Sequence, residues 1–282
     1  MFAPPMRRFK EVVYRVANAA LIGSLEWLQR KGKSKTMYRV SAHGAAALFE
    51  GSWFTYRPRD FGATGNIDYA PEAENATRSM LFSMLKGDEV LYDIGAHGGV
   101  YTITLRKRFP TLKVISFEPQ PDDLRKNLDL NSLNADDLQE VALGAENGAV
   151  RMTVNKRSSN HIAPDGQRSV RLVRLDDLRK ERSLPAPEWI KIDVEGFELP
   201  ALKGAEATLQ ECQPVIICEI NEISGRFGTQ VSDLATYLGN LGYTMHRLSG
   251  ERFEVVEKHG SLADLGYSAD WNYWFFPKPV EN

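Results

Sequence analysis

The sequence feature that most constrains the fold is the segment 89–101, an apolar run followed by a glycine-rich turn. Val90 to Ile94 is apolar on both strand faces except for Asp93, a pattern typical of a buried strand in a parallel sheet. Three glycines follow: Gly95, Gly98 and Gly99. Glycine permits a sharp turn and a close backbone approach to a ligand. The segment therefore predicts a strand, a turn and a helix N-terminus facing a crevice at the carboxyl ends of the strands.

A second predicted strand, 113–117, ends in Glu118 and Pro119. Glu118 lies 23 residues after Gly95, close to the spacing of about 20 expected for a carboxylate that binds ribose hydroxyls. The two strands therefore predict a nucleoside-binding βαβ unit. A dinucleotide fingerprint would place glycine where His97 stands, which disfavours a Rossmann dehydrogenase. A phosphate-binding P-loop motif is also missing from the sequence.

Apolar runs alternate with helical patterns from residue 72 onward, which predicts an α/β fold with a mainly parallel sheet and helices on both faces. The predicted helices are 72–85, 100–109, 121–133, 198–209 and 231–241. The third to fifth core strands are predicted at 141–144, 189–192 and 214–220, with added strands at 149–154 and 170–175. Closing strands are predicted at 243–248, 253–257 and 271–276, and a polar loop at 158–166.

The first 65 residues differ from the rest, and we expect them to form a basic extension before a catalytic domain at 66–282. Residues 1–40 carry nine Lys or Arg and two Glu, whereas the whole chain has a net charge of −2. The acidic main domain argues against nucleic-acid binding. A basic amphipathic helix in 1–40 either packs on the catalytic domain or on a partner subunit, or contacts an anionic membrane surface. The segment 45–56 is predicted to form a small hairpin or a cover on the sheet edge. Two cysteines without metal-ligand spacing indicate a reducing, cytoplasmic location, with peripheral membrane contact as the open alternative.

Four blocks in order carry a family resemblance: L-Y-D-I-G-A-H-G-G-V-Y from Leu91, F-E-P from Phe117, L-D-D-L from Leu175 and I-K-I-D-V-E-G-F-E from Ile190. The set resembles the FkbM family of S-adenosylmethionine (SAM)-dependent methyltransferases, over about 65–225. The resemblance implies a Rossmann-like class I methyltransferase domain with a seven-stranded sheet and SAM as cofactor. Its implied cofactor-binding residues are Asp93, Gly95, His97, Gly99, Tyr101, Glu118, Pro119, Asn131, Ala142, Leu143 and Asp193. His97 departs from the asparagine that is frequent in the family.

Methyl transfer to a hydroxyl needs a group that removes its proton, or a metal that acidifies it. Asp193, Glu195 and Glu219 follow the fourth and fifth strands, and each is a candidate base. Glu195 has a structural alternative, accepting N–H bonds from the turn before the next helix. A second alternative is a Mg²⁺ site formed by Asp193, Glu219 and Asn221. His161, in the polar loop, is a further candidate base. The alternative is that His161 is a solvated loop residue without a role in catalysis.

The sequence therefore predicts a SAM-dependent O-methyltransferase acting on a hydroxyl of a sugar, a glycan or a lipid-linked glycan. One alternative is N- or carboxyl-methyl transfer to a small molecule or peptide, and a carboxylate acceptor would need no base. The other alternative is a non-catalytic SAM-binding protein, which three acids at adjacent strand ends disfavour.

Overall fold

A computed structural model describes residues 38–41, 44–55, 75–154, 160–228, 230–257, 260–266, 268 and 271–278. Its strands are β1 (Tyr38–Ser41), β2 (Gly44–Phe49), β3 (Ser52–Thr55), β4 (Val90–Ile94), β5 (Lys113–Phe117), β6 (Leu138–Gln139), β7 (Ala142–Leu143), β8 (Gly148–Met152), β9 (Arg168–Val173), β10 (Trp189–Ile192), β11 (Val215–Glu219), β12 (Tyr243–Ser249), β13 (Arg252–Val255) and β14 (Asn272–Pro277). Its α-helices are α1 (Asn75–Met84), α2 (Val100–Arg108), α3 (Asp122–Leu130), α4 (Leu175–Arg182), α5 (Glu198–Lys203), α6 (Glu206–Cys212), α7 (Val231–Asn240) and α8 (Leu262–Leu265).

The central sheet of the described chain has eight strands in the order β13-β12-β14-β11-β10-β4-β5-β6. The run from β11 to β6 is parallel, and β14, β12 and β13 are antiparallel. The predicted mainly parallel α/β architecture is confirmed. The sheet has one strand more than the predicted seven because the β12–β13 hairpin adds an antiparallel edge strand.

Apolar side chains fill both faces of this sheet. Tyr92 and Ile192 point into a cluster that includes Leu202 of α5 and Leu238 of α7. Neighbouring positions on the strands face the opposite way, and there Leu91 packs with side chains of α1 and α2. The central strands are apolar on both faces because helices cover both faces of the sheet. The two layers hold the carboxyl ends of β5, β4, β10 and β11 together at one edge.

The third strand of the central sheet lies earlier than the sequence predicted. Leu138–Gln139 pairs with β5, whereas Ala142–Leu143 pairs with β9 in a separate three-stranded sheet, β7-β9-β8. The prediction of the third strand at 141–144 is thus wrong. The buried run Val141 to Leu143 gives the stronger local signal, but tertiary pairing assigns it to the small sheet.

The helix predicted at 198–209 is divided into α5 and α6. A Cβ on Gly204 would lie 1.9 Å from the carbonyl oxygen of Gly144, so only glycine permits this close backbone approach. The second helix begins after the break, and the Asp176 carboxylate accepts bonds from its Ala207 and Thr208 amides at 3.0 and 2.9 Å. The sequence analysis extended the preceding strand to Leu175, but this residue begins α4.

The hairpin predicted at 45–56 corresponds to β2 and β3, joined to β1 in a three-stranded antiparallel sheet. It packs on α2 and α3, in an apolar cluster that Leu138 of the edge strand β6 also contacts. Asn131 bonds both backbone groups of Trp53, at 2.8 and 2.6 Å, and Asn127 accepts the Thr55 amide at 2.8 Å.

The predicted basic helix in 1–40 lies almost entirely outside the described residues, as does the domain boundary near residue 65. Within the described part of the chain, every helix is too short or too polar to cross a bilayer. Membrane contact through 1–40 stays a prediction.

Candidate active site

The glycine-rich turn lies between β4 and α2, and its backbone is held by two neighbouring strands. The Gly95 amide donates to the Phe117 carbonyl at 2.9 Å, and a Cβ on Gly95 would lie 1.8 Å from the Asp193 carbonyl oxygen. Gly95 and Gly99 have φ values of 83° and 82°, and His97 has a φ of 48°. Three positive φ values in five residues make this a tight turn that glycine permits.

Glu118 closes the turn from the end of β5. Its two carboxylate oxygens accept bonds from the amides of His97 and Gln120, both at 2.8 Å. The side chain is buried, and the loss of solvation raises its pKa while these N–H groups lower it. Each carboxylate oxygen has a further lone pair, so Glu118 can also accept bonds from a ligand's hydroxyls.

Asp93 at the end of β4 faces the first turn of α2. Its carboxylate accepts bonds from the Thr102 amide at 3.1 Å and the Thr102 hydroxyl at 2.5 Å. Burial raises its pKa to about 6, although the Thr102 bond and the nearby Lys191 charge act in the opposite direction. Lys191 is itself buried, and its Nζ lies 3.7 Å from Asp193 Oδ2. The two strand ends therefore share a charge network formed by one lysine and two aspartates.

The D-V-E-G segment after β10 forms a turn whose amides are bound by Glu198 of α5. Glu198 Oε1 accepts bonds from the Val194 and Gly196 amides at 3.1 and 3.0 Å. This is the structural task that the sequence analysis considered for Glu195, and it leaves the Glu195 side chain for another role. Sequence analysis gave Glu198 no function. Its position three residues after Glu195, in the first turn of a helix, is the signal that suggests a capping carboxylate.

Glu195 lies in a strained and partly buried environment. Its backbone has a φ of 57°, and its Oε2 is buried without a hydrogen-bond partner among the described residues. Burial, followed by repulsion from Asp193, raises the pKa of this carboxyl to about 7, although the Arg226 charge lowers it. Arg226 follows β11 and donates to the Glu195 carbonyl at 3.2 Å. A half-buried carboxyl that exchanges its proton near neutral pH has the properties of a general base.

Glu219 ends β11, and its Oε1 accepts a bond from Asn221 Nδ2 at 3.0 Å. β11 lies next to β10 in the sheet, so Glu219 and Asp193 share the same carboxyl edge, as predicted. Among the described residues, no group of three or more His, Cys, Asp and Glu side chains could hold a metal ion. The Mg²⁺ site at Asp193, Glu219 and Asn221 stays a prediction without further support.

His161 lies beside the β5 end of the edge. Its amide and carbonyl bond to Thr153 at 3.0 and 2.9 Å, and the Thr153 carbonyl accepts a bond from Gln120 Nε2 at 2.9 Å. These contacts connect the His161 segment to Gln120, two residues after Glu118. They therefore place His161 beside the predicted ribose site rather than beside the acids at the ends of β10 and β11. Its role as a base stays a prediction.

The remaining predicted cofactor residues lie in different surroundings. Asn131 is occupied by the hairpin contacts to Trp53, and the buried Tyr101 ring lies 5.3 Å from Lys191 Nζ in the core below the turn. Ala142 and Leu143 are buried in β7, and Pro119 is half-buried next to Glu118. Cofactor contact by any of these residues stays a prediction.

The turn and Glu118 fit the adenosyl part of SAM. A close-packed glycine turn, a helix N-terminus and a carboxylate held by two amides present a crevice for a nucleoside with free ribose hydroxyls. Gly95, His97 and Glu118 would bind it, and Asp193 and Glu195 would face the acceptor side. The fold and the site together define a class I methyltransferase.

Residues 93–245, just over half of the chain, match the model of the methyltransferase FkbM domain. The chain belongs to the FkbM family of SAM-dependent methyltransferases. It is 27% identical over 144 residues to hexuronic acid methyltransferase AglP of Haloferax volcanii, a match that covers 49% of this chain and 59% of that protein. It is 26% identical over 180 residues to methyltransferase sdnD of Sordaria araneosa, covering 50% and 70% of the two chains. A solved structure of methyltransferase FkbM from Methylobacillus flagellatus KT is 20% identical, with a TM-score of 0.44 over 69% of this chain and 45% of that chain.

Proposed function

We propose that this protein methylates a hydroxyl of a sugar or glycan, with Glu195 as the general base. The observation that carries the proposal is the Glu195 carboxyl, whose Oε2 is buried without a partner among the described residues and whose pKa is raised to about 7. SAM, when bound, supplies an electrophilic methyl group. The task left to the protein is to position a hydroxyl and to accept its proton, and a carboxylate with this pKa does so at neutral pH.

The neighbouring groups act on Glu195 rather than on the acceptor proton. Glu198 binds the amides on both sides of Glu195 and so fixes the turn that carries it. Burial raises the pKa of Glu195 most, Asp193 raises it further and Arg226 lowers it, which together give a pKa of about 7. Glu219 at the end of β11 and Asn221 just after it would bind other hydroxyls of the acceptor.

A sugar is the proposed acceptor because one relative is named a hexuronic acid methyltransferase. That name also favours a second candidate, methylation of a sugar carboxylate. A carboxylate acceptor is already a nucleophile and needs no base. Arg226 is exposed beside Glu195 and would offset the charge of such an acceptor.

The experiment is transfer of labelled methyl from SAM to neutral and uronic acid oligosaccharides, followed by mild alkaline hydrolysis of the product. An ether formed on a hydroxyl keeps its label in alkali, whereas an ester formed on a carboxylate releases it. Alkali-stable label on either acceptor supports the O-methyl ether proposal. Alkali-labile label supports the second candidate, and no transfer to any saccharide contradicts both.

A lipid-linked glycan acceptor would follow from membrane contact by the basic segment 1–40. Co-sedimentation of the full chain and of a chain without these residues with anionic vesicles tests it. Equal sedimentation of the two would contradict the membrane contact.

A further inference from the structure

Trp271 combines exposure with an unfavourable backbone conformation. It and Val255 are the large apolar side chains that are exposed in the described part of the chain, at 44% and 55%. Trp271 also has a φ of 57°, which is unusual for a bulky residue and costs on the order of 1 kcal/mol or more. The neighbouring aromatic residues of β14, in contrast, are fully buried: Tyr273, Trp274 and Phe275. β14 is thus core from Asn272 to Phe275, and Trp271, which immediately precedes it, is exposed.

The backbone around Trp271 is firmly held. Its amide donates to the Ser268 carbonyl at 3.1 Å, and its carbonyl accepts a bond from the Ile220 amide at 2.9 Å. Ser268 is fully buried, and its hydroxyl accepts the Leu248 amide at 3.0 Å and donates to the Asn272 carbonyl. The surrounding fold therefore imposes the strained conformation and keeps the indole at the surface.

The position of Trp271 places it on the acceptor side of the crevice. β14 runs antiparallel to β11 with Asn272 opposite Glu219, so the start of β14 lies at the carboxyl end of β11. Along the sheet the order is β14-β11-β10-β4-β5, which puts Trp271 at the end opposite Glu118. Two strand spacings separate β14 from β10, or about 10 Å. That span is about the length of two sugar units of an oligosaccharide.

We propose that Trp271 is a stacking platform for a sugar ring about two units away from the one that is methylated. This inference rests on the proposed saccharide acceptor, and it selects an oligosaccharide over a free monosaccharide. An indole presents a flat apolar face to the apolar C–H face of a pyranose while the ring hydroxyls stay in water. The fold tolerates the strain at Trp271 because this residue contributes acceptor affinity.

The test is calorimetric binding of galacturonic acid and trigalacturonic acid, and of glucose and maltotriose, to the full chain saturated with S-adenosylhomocysteine. The variants are Trp271→Asn, which removes the ring but suits a left-handed backbone, Trp271→Tyr, which keeps an aromatic face, and the control Val255→Ala. We expect Trp271→Asn to weaken trisaccharide binding about fivefold to tenfold. Monosaccharide affinity and S-adenosylhomocysteine affinity should be unchanged by this substitution, and thermal stability should not fall, because asparagine relieves the backbone strain. The other two variants should bind the trisaccharide nearly as the wild type does.

Equal trisaccharide affinity in Trp271→Asn and the wild type would overturn the platform, as would an equal loss for monosaccharide and trisaccharide. No binding of any of these saccharides to the wild-type complex would overturn it as well. Methyl transfer to the same saccharides separates the two proposals. Transfer that persists in the wild type while Trp271→Asn changes no affinity refutes the platform alone. Bound S-adenosylhomocysteine with no transfer to any saccharide refutes the acceptor class.

Discussion

Glu195→Gln should make the protein inactive and, at alkaline pH, more stable. The Glu195 carboxyl has an ordinary pKa of 4.5 and a folded-state pKa of about 7, raised first by burial and then by Asp193. Because the folded state holds this proton more tightly than the unfolded state, stability falls as pH rises from about 4.5 to about 7. The difference corresponds to at most about 3 kcal/mol. The carboxyl is only partly buried, and solvent screening reduces this to roughly 1–2 kcal/mol.

Glutamine has the same shape and carries no charge, so it removes this penalty. Urea unfolding should therefore show Glu195→Gln to be more stable than the wild type by roughly 1–2 kcal/mol at pH 8, with no difference at pH 4. Methyl transfer should fall by about 10²-fold to 10⁴-fold, which is the usual contribution of a general base. S-adenosylhomocysteine affinity should not change, because Glu195 is proposed to act on the acceptor and not on the cofactor.

The pH profile adds a third measurement. Wild-type kcat/KM should rise with pH through about 7 as Glu195 loses its proton, and this limb should be absent in Glu195→Gln. A variant that keeps wild-type activity and the same limb would refute Glu195 as the base and would favour carboxylate methylation. A variant that is inactive but less stable at pH 8 would show instead that Glu195 has a structural role.

Three other substitutions test the surroundings of the site. Arg226→Gln removes a charge that lowers the pKa of Glu195, so the rising limb of the kcat/KM profile should move to higher pH. A limb at the same pH would show that the Arg226 charge does not act on Glu195. Gly95→Ala places a Cβ 1.8 Å from the Asp193 carbonyl oxygen at a φ of 83° and should therefore abolish S-adenosylhomocysteine binding in calorimetry. Wild-type affinity in this variant would show that binding does not need the tight turn at Gly95. Asn127→Ala removes the hydrogen bonds to the Thr55 amide and the Gly98 carbonyl, so the free energy of unfolding in urea should fall by roughly 2–4 kcal/mol. A decrease well below about 1 kcal/mol would show that other contacts hold the β2–β3 hairpin against α3.

The parts of the fold that sequence reasoning predicted well have local signals. β4 and β5 were predicted with the residues that the structure gives them, because each is a short apolar run ended by a carboxylate and a turn. The glycine turn and Glu118 come together, as their spacing predicted, since the amide of His97 binds that carboxylate. Local patterns suffice where strand, turn and helix follow one another directly.

Other features depend on contacts between distant residues, which a local pattern does not contain. The break at Gly204 arises from the Gly144 carbonyl, and the cap of α6 comes from Asp176. The exposure of Trp271 could not be read from an aromatic-rich segment in which Tyr273, Trp274 and Phe275 are buried. The division of labour between Glu195 and Glu198 likewise appears only when the turn is folded.

The most direct test of the central claim is calorimetric titration of S-adenosylhomocysteine into the wild type and Glu118→Ala, with NAD as the matched nucleotide control. The structure predicts that the wild type binds S-adenosylhomocysteine but not NAD, because His97 stands where a pyrophosphate would approach the backbone. Loss of the Glu118 carboxylate should weaken binding about tenfold or more, since two ribose hydroxyls lose a charged acceptor. No S-adenosylhomocysteine binding to the wild type, or equal affinity in the two proteins, would contradict the assignment of this crevice.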